Sequence, residues 1–213
     1  MPDDPVTVQL ERDWQDLVAR LAAPAPAAPS GAPSGPPRPT VLLAELEDVR
    51  LTWAELRASG LLERYADRYV TPQWTLKDLL AHLASWSTEF HREAEIVARH
   101  EAFDYAIPFA VSVFGPSQWN QVEVDKRRNL TLDQILDELD RELRALEDRV
   151  LDLPDEALYR EATLPYAPTG DPAALSKGSI AQVVMVKCFH DRHHLERIHQ
   201  FLDAVRTPPP ARP

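Results

Sequence analysis

One cysteine, Cys188, in 213 residues leaves no room for an internal disulfide or a cysteine-rich zinc module. No apolar run comes near the roughly 20 residues that a membrane helix requires, the closest being about half as long, around Ala106 to Phe114. The start, Met1-Pro-Asp-Asp, lacks the basic and apolar regions of a secretion signal. The expectation is a soluble cytoplasmic chain with no membrane partner. Basic residues are also short: 23 Lys and Arg against 34 Asp and Glu give a net charge of −11. Such a chain repels phosphate backbones, and the short Lys126-Arg127-Arg128 cluster does not reverse that, so nucleic acid is not an expected partner. No stretch alternates with a period of two, so no substantial sheet is expected.

Apolar residues at helical spacing are plentiful. Leu10, Trp14, Leu17, Val18 and Leu21 make the stripe of a short amphipathic helix. From Ala22 to Pro39 the chain turns to Ala, Pro, Ser and Gly, with seven prolines and two glycines, the composition of a semi-extended tether. Residues 1–39 thus read as a helical appendage and linker, 40–206 as one domain large enough for its own core, and 207–213 as a disordered Pro-rich tail.

The domain reads as four long helices. Leu42, Leu43, Leu46, Val49, Trp53 and Leu56 mark the first, which stops near Gly60. Thr75 with Asp78 is a variant capping box opening a second, carrying Leu76, Leu79, Leu83, Trp86, Phe90 and Val97 to about His100. Thr131 with Gln134 caps a third, through Leu132, Ile135, Leu136, Leu139, Leu143, Leu146 and Val150 to Pro154. Ser179 with Gln182 caps a fourth, which runs to about Val205 before Pro208-Pro209-Pro210. About thirty residues separate the second and third helices, too many for a tight turn, so these two are expected to run parallel with a long crossover. That segment holds Phe103, Tyr105, Phe109, Phe114 and Trp119. It is either a lid or plain packing against the core, with an extra helix over residues 117–125 lying across one end of the bundle.

Chemistry concentrates on the histidines. His190 and His194 lie at i, i+4, about 40° apart on one helical face, where both reach one ion. Apolar residues of the fourth helix centre about 70° from His190, so His194 points inward and His190 borders that face, while His193 and His199 lie more than about 100° from the centre and read as solvent-facing. His82 borders the core face of the second helix and is the best-placed third ligand; His91 points away. Three buried imidazoles without partners cost roughly 1–3 kcal/mol for each unpaired group, a cost that coordination removes. The alternative is a set of hydrogen-bonded core histidines. Glu89 and Glu93 lie within about 20° of His82 on the wheel. They either line the same pocket, act as a base or support the site from outside it, or belong to a salt-bridged interior. Lys187 falls about 60° from His190, within the apolar face, and either snorkels or binds an anion such as a thiol carboxylate.

The stretch from Trp74-Thr-Leu-Lys-Asp through His82-Leu-Ala-Ser-Trp86, the distal His190-x-x-x-His194 and the helix lengths together resemble the DinB superfamily, over about residues 40–206. That group includes the YfiT-like bacillithiol transferases, the mycothiol-dependent maleylpyruvate isomerases and the ClbS/DfsB-type proteins. The resemblance implies an all-α four-helix bundle of unusual connectivity, often a homodimer. It also implies a divalent nickel, zinc, iron or manganese ion on a triad that falls here on His82, His190 and His194. Three neutral ligands leave the ion's charge uncompensated and positions open, which lowers the pKa of a bound water or thiol. In the thiol-transferase branch a low-molecular-weight thiol is the nucleophile toward a small-molecule electrophile or isomerisable double bond, with Glu89, Glu93 and Lys187 as candidate catalytic groups. Two other readings stand beside it: a ClbS-like hydrolase of strained electrophiles that needs no metal, and a non-catalytic dimeric binding module.

Overall fold

A computed structural model describes residues 39–99, 118–164 and 176–206. The appendage, the tether, His100, the aromatics from Phe103 to Phe114 and the Pro-rich tail lie outside the described residues.

Helix α1, Pro39–Ala58, begins on a proline, whose fixed φ suits the first turn and whose missing N–H is not needed there. It buries Leu42, Leu46, Val49, Trp53 and Leu56, as the spacing predicts. Gly60 ends it with a φ of 67°, a left-handed conformation that glycine adopts without a Cβ penalty. Helix α2, Leu61–Tyr65, leads into a short turn in which the Val70 amide donates to the Trp74 carbonyl at 2.9 Å. The Trp74 amide in turn donates to Thr71 Oγ1 at 2.9 Å. That turn delivers Trp74 to the mouth of α3, Leu76–Arg99. There Asp78 Oδ2 accepts from the Thr75 amide at 3.0 Å, while Thr75 Oγ1 accepts from the Asp78 amide at 3.1 Å, the reciprocal cap read from the sequence.

Helix α4 covers 118–127 and lies against the first half of α3, with Trp119 buried and its ring 4.5 Å from that of Trp86. The choice between lid and core packing falls, for Trp119, on packing. Helix α5, Leu132–Asp152, carries the Thr131–Gln134 capping box, and α6, Asp155–Tyr159, follows Pro154. Strands β1, Ala162–Leu164, and β2, Ser176–Gly178, pair antiparallel. Three residues a side are all the sheet the described residues hold, so the all-α expectation stands. Helix α7, Ile180–Arg206, opens on Ser179, whose amide donates to Gln182 Oε1 at 2.8 Å.

The four long helices form a ring in which α1 and α3 each pack against both α5 and α7. Contacts fix their directions. Thr88 meets Glu138, His91 meets Glu142 at 2.7 Å, and Arg149 donates to Glu95 at 2.6 Å. Both chains advance together, so α3 and α5 are parallel, as the long crossover predicts. Arg57 pairs with Asp133 and Asp137, whereas Arg50 pairs with Glu147, so α1 opposes α5. On α7, His194 lies beside His82 while His190 reaches Trp86 and Phe90, so α7 opposes α3. One consequence is central to the chemistry: the middle of α7 faces the first half of α3, the helix buried along nearly its whole length from Leu76 to Phe90.

Candidate metal centre

His82 from α3 and His190 and His194 from α7 converge. Their ring centres are 5.3 Å apart for His82 and His190, 5.1 Å for His82 and His194, and 4.7 Å for His190 and His194. One candidate ligand nitrogen from each lies within 4.8 Å of the other two. Three imidazoles binding one ion at about 2.1 Å place their ring centres about 5 Å apart, which is the observed spacing. The i, i+4 geometry of α7 supplies two rings, and the antiparallel packing of α3 supplies the third.

The surroundings fit an ion. The Nδ1 atoms of His82, His190 and His194 are all buried and have no hydrogen-bond partner; nothing in the protein satisfies that nitrogen in His82 or His194, and in His190 it lies 3.6 Å from Asp191 Oδ1. Burial holds His82 and His194 well below the ordinary histidine value of 6.5, with the neighbouring imidazoles adding to it. Burial lowers His190 as well, against an upward pull from Asp191. All three are therefore in the neutral form that ligates, with little proton competition near pH 7. His190 keeps 11 % of its side chain exposed while His82 and His194 are buried, so of the three rings His190 is the one nearest solvent. Aromatic rings pack beside them. Trp74 lies 5.0 Å from His82, and Trp86 lies 6.5 Å from His82 and 5.9 Å from His190. Helix α4 holds both indoles by their N–H groups, Trp74 on Gln121 at 3.0 Å and Trp86 on Asn120 at 2.9 Å.

The other sequence-predicted positions fall differently. Glu89 is buried and grips Arg92 through both oxygens, at 2.7 and 3.0 Å. Glu93 is fully buried. They stand about 10 and 16 Å along the α3 axis from His82, and among the described residues no carboxylate joins the histidine group. Lys187 does not snorkel: it has no exposure and pairs inside the bundle with Asp191, itself fully buried. His91 turns to Glu142, away from the triad, as expected. His199 is exposed, but His193 is only partly so, with its ring 5.5 Å from His194. That corrects its solvent-facing assignment: its ring packs edge-on against that of His194, which covers part of it.

Asp191 is the site residue that sequence reasoning missed. Its Oδ2 takes Lys187 and the indole N–H of Trp53 at 3.4 Å, and its Oδ1 lies 3.6 Å from His190 Nδ1. Burial opposes its ionisation, but Lys187 and His190 hold its carboxyl below the usual range. The signal was present: Asp191 lies about 30° from the centre of the apolar face of α7, one turn after Lys187. Cys188, beside this pair, has its thiol pushed by burial up to about 12, so the chain carries no thiolate of its own at neutral pH.

Among the described residues no helix is long and apolar enough to cross a membrane. No curated protein and no solved structure matches the chain significantly. A family described as mycothiol maleylpyruvate isomerase N-terminal domain matches residues 53–177, more than half of the chain. The match runs from the second half of α1 to β2 and includes His82 and the Trp74–Trp86 block; the two α7 histidines lie beyond it and join by geometry. The chain therefore belongs to the mycothiol maleylpyruvate isomerase N-terminal domain family, a family of the DinB superfamily type.

Proposed function

We propose that this protein is a divalent-metal-dependent enzyme that adds a low-molecular-weight thiol to a small electrophile or to an isomerisable double bond. The observation that carries the reading is the closed triangle of neutral imidazoles, His82 and His194 buried and His190 nearly so, with unsatisfied nitrogens. His82, His190 and His194 would hold the ion. When bound, the ion supplies Lewis acidity, depressing the pKa of a thiol or water that reaches it.

The chain's own groups do the rest. The triad brings no negative charge, so the centre keeps an electrostatic preference for an anionic nucleophile or a carboxylate-bearing substrate. Trp74 and Trp86 exclude water on the α4 side and offer flat apolar surface to a substrate. Cys188, held as a thiol, does not compete as a nucleophile, so the sulfur comes from outside the chain. Glu89, tied to Arg92, and Glu93 support the core of α3 from below the site. The family's name joins mycothiol to maleylpyruvate, and that pairing gives the first substrates to try. The protein is cytoplasmic in this reading and acts as a homodimer.

The test is a conjugation and isomerisation screen of the zinc-loaded, full-length chain with mycothiol as thiol and maleylpyruvate as acceptor, followed by absorbance. Turnover that needs the metal and vanishes in His194→Ala supports the reading. Equal turnover by chelator-treated protein overturns it.

A further inference from the structure

An ion accounts for the meeting of three imidazoles but not for a lysine and an aspartate fully buried beside them, one turn apart on α7. An isolated buried ion pair is an expensive way to fill a core, since desolvation offsets most of its attraction. Here the pair is not isolated. Oδ2 of Asp191 is anchored by Lys187 of the same helix and by Trp53 of α1. Its second oxygen, Oδ1, has no hydrogen-bond partner and lies 3.6 Å from Nδ1 of His190, which has none either. A closure of about 0.6 Å makes this an ordinary N–H···O bond. Asp191 faces α1, where its Oδ2 meets Trp53, whereas His82 comes from α3, and α1 and α3 are diagonal in the ring of helices, so the carboxylate and His82 approach His190 from different sides.

Resting on the reading that the triad holds an ion, we infer that Asp191 is a positioning residue. Clamped by Lys187 and Trp53, it accepts a hydrogen bond from Nδ1–H of His190 and so presents Nε2 to the ion. Metal-ligating histidines commonly donate their other N–H to a carboxylate, which fixes the tautomer and the ring plane. Lys187 has a role in the same device. Its ammonium neutralises Asp191, so that the carboxylate orients His190 without cancelling the charge that makes the ion useful.

The direct test uses the native, full-length, zinc-loaded chain labelled with ¹⁵N in its histidine rings. Long-range proton–nitrogen correlation reads which ring nitrogen carries the proton. The inference expects His190 to be protonated at Nδ1 and metal-bound at Nε2; coordination through Nδ1 of His190 overturns it. A second test compares two charge-free double variants, Lys187→Met with Asp191→Asn and Lys187→Met with Asp191→Leu, by chelator competition for zinc. The Trp53 indole directs the amide oxygen of asparagine to itself, which turns the amide N–H₂ toward His190 and favours the wrong tautomer. Zinc affinity is expected to fall about 10–100-fold, further in the Asn pair than in the Leu pair, a difference that a merely structural role would not produce. Wild-type affinity in both folded doubles overturns the inference, and the nitrogen spectrum decides it where a double variant does not fold. Zinc retained by His194→Ala would instead remove the triad reading, so the two failures are distinguishable.

Discussion

The ring of His82 lies 5.1 Å from that of His194, edge to face, and both are buried with Nδ1 lacking any hydrogen bond. Without an ion this contact carries a standing cost, since each unsatisfied buried group destabilises the fold by about 1–3 kcal/mol. A metal ion is expected to bind the folded state, where the three rings converge, more tightly than the unfolded chain, and adding it then stabilises the fold. At a hundredfold excess over the dissociation constant the gain is about 2.7 kcal/mol, or about 5–10 °C in Tm for a domain of this size. Thermal unfolding with and without zinc measures it. His194→Ala is expected to lose the shift, and an equal shift in that variant would separate the stabilisation from the triad.

Acid sensitivity follows from the same burial. The folded-state values of His82, His190 and His194 all lie below 6.5. Above that pH the rings are neutral in both states and their contribution is fully present. As pH falls below 6.5 the unfolded chain takes up protons that the buried rings refuse, so stability is lost progressively down to the depressed folded values and then levels off. Urea midpoints of chelator-treated protein at about pH 7.5 and about pH 5.5 give the slope. The folded variant His82→Leu with His194→Leu is expected to show a shallower decline over that window; an unchanged decline would assign the acid limb to other groups.

Lys187 and Asp191 should behave as a unit toward stability. Removing either charge strands the other in the core, at a cost of about 3–5 kcal/mol, whereas replacing both by apolar groups of similar volume is close to neutral. Urea denaturation of Lys187→Met, Asp191→Leu and the double variant forms the cycle. Additive losses would mean that the ammonium and the carboxylate do not depend on each other.

At Gly60 a Cβ would meet nothing within 4 Å, yet φ is +67°. The cost of Gly60→Ala is thus conformational, about 1–2 kcal/mol, with zinc affinity unchanged. A variant as stable as the parent would show that the α1–α2 turn relaxes to another backbone conformation.

What the sequence disclosed and what it hid follow from the range of the interactions. The caps at Thr75, Thr131 and Ser179 were legible because each is a three-residue relationship, and the parallel pairing of α3 with α5 because chain length forbids a tight turn. His190 and His194 were legible for the same reason: one helix turn joins them. His82 needed the added assumption that the second and fourth helices meet, which their apolar faces suggested and the bundle supplies. The function of Lys187 was not legible from its angle alone. Its partner was one turn away and could be found on the wheel, but Trp53, which anchors that partner, comes from α1 and leaves no local trace. The ribbon of β1 and β2 escaped because three residues are too few to display a period of two.

The most direct test is elemental analysis of the native full-length protein beside His82→Ala and His194→Ala, each checked for retained helical structure. The account predicts about one divalent ion per chain in the parent, held at the shared three-histidine site, and its loss from both variants. Metal content unchanged in the two folded variants would contradict it.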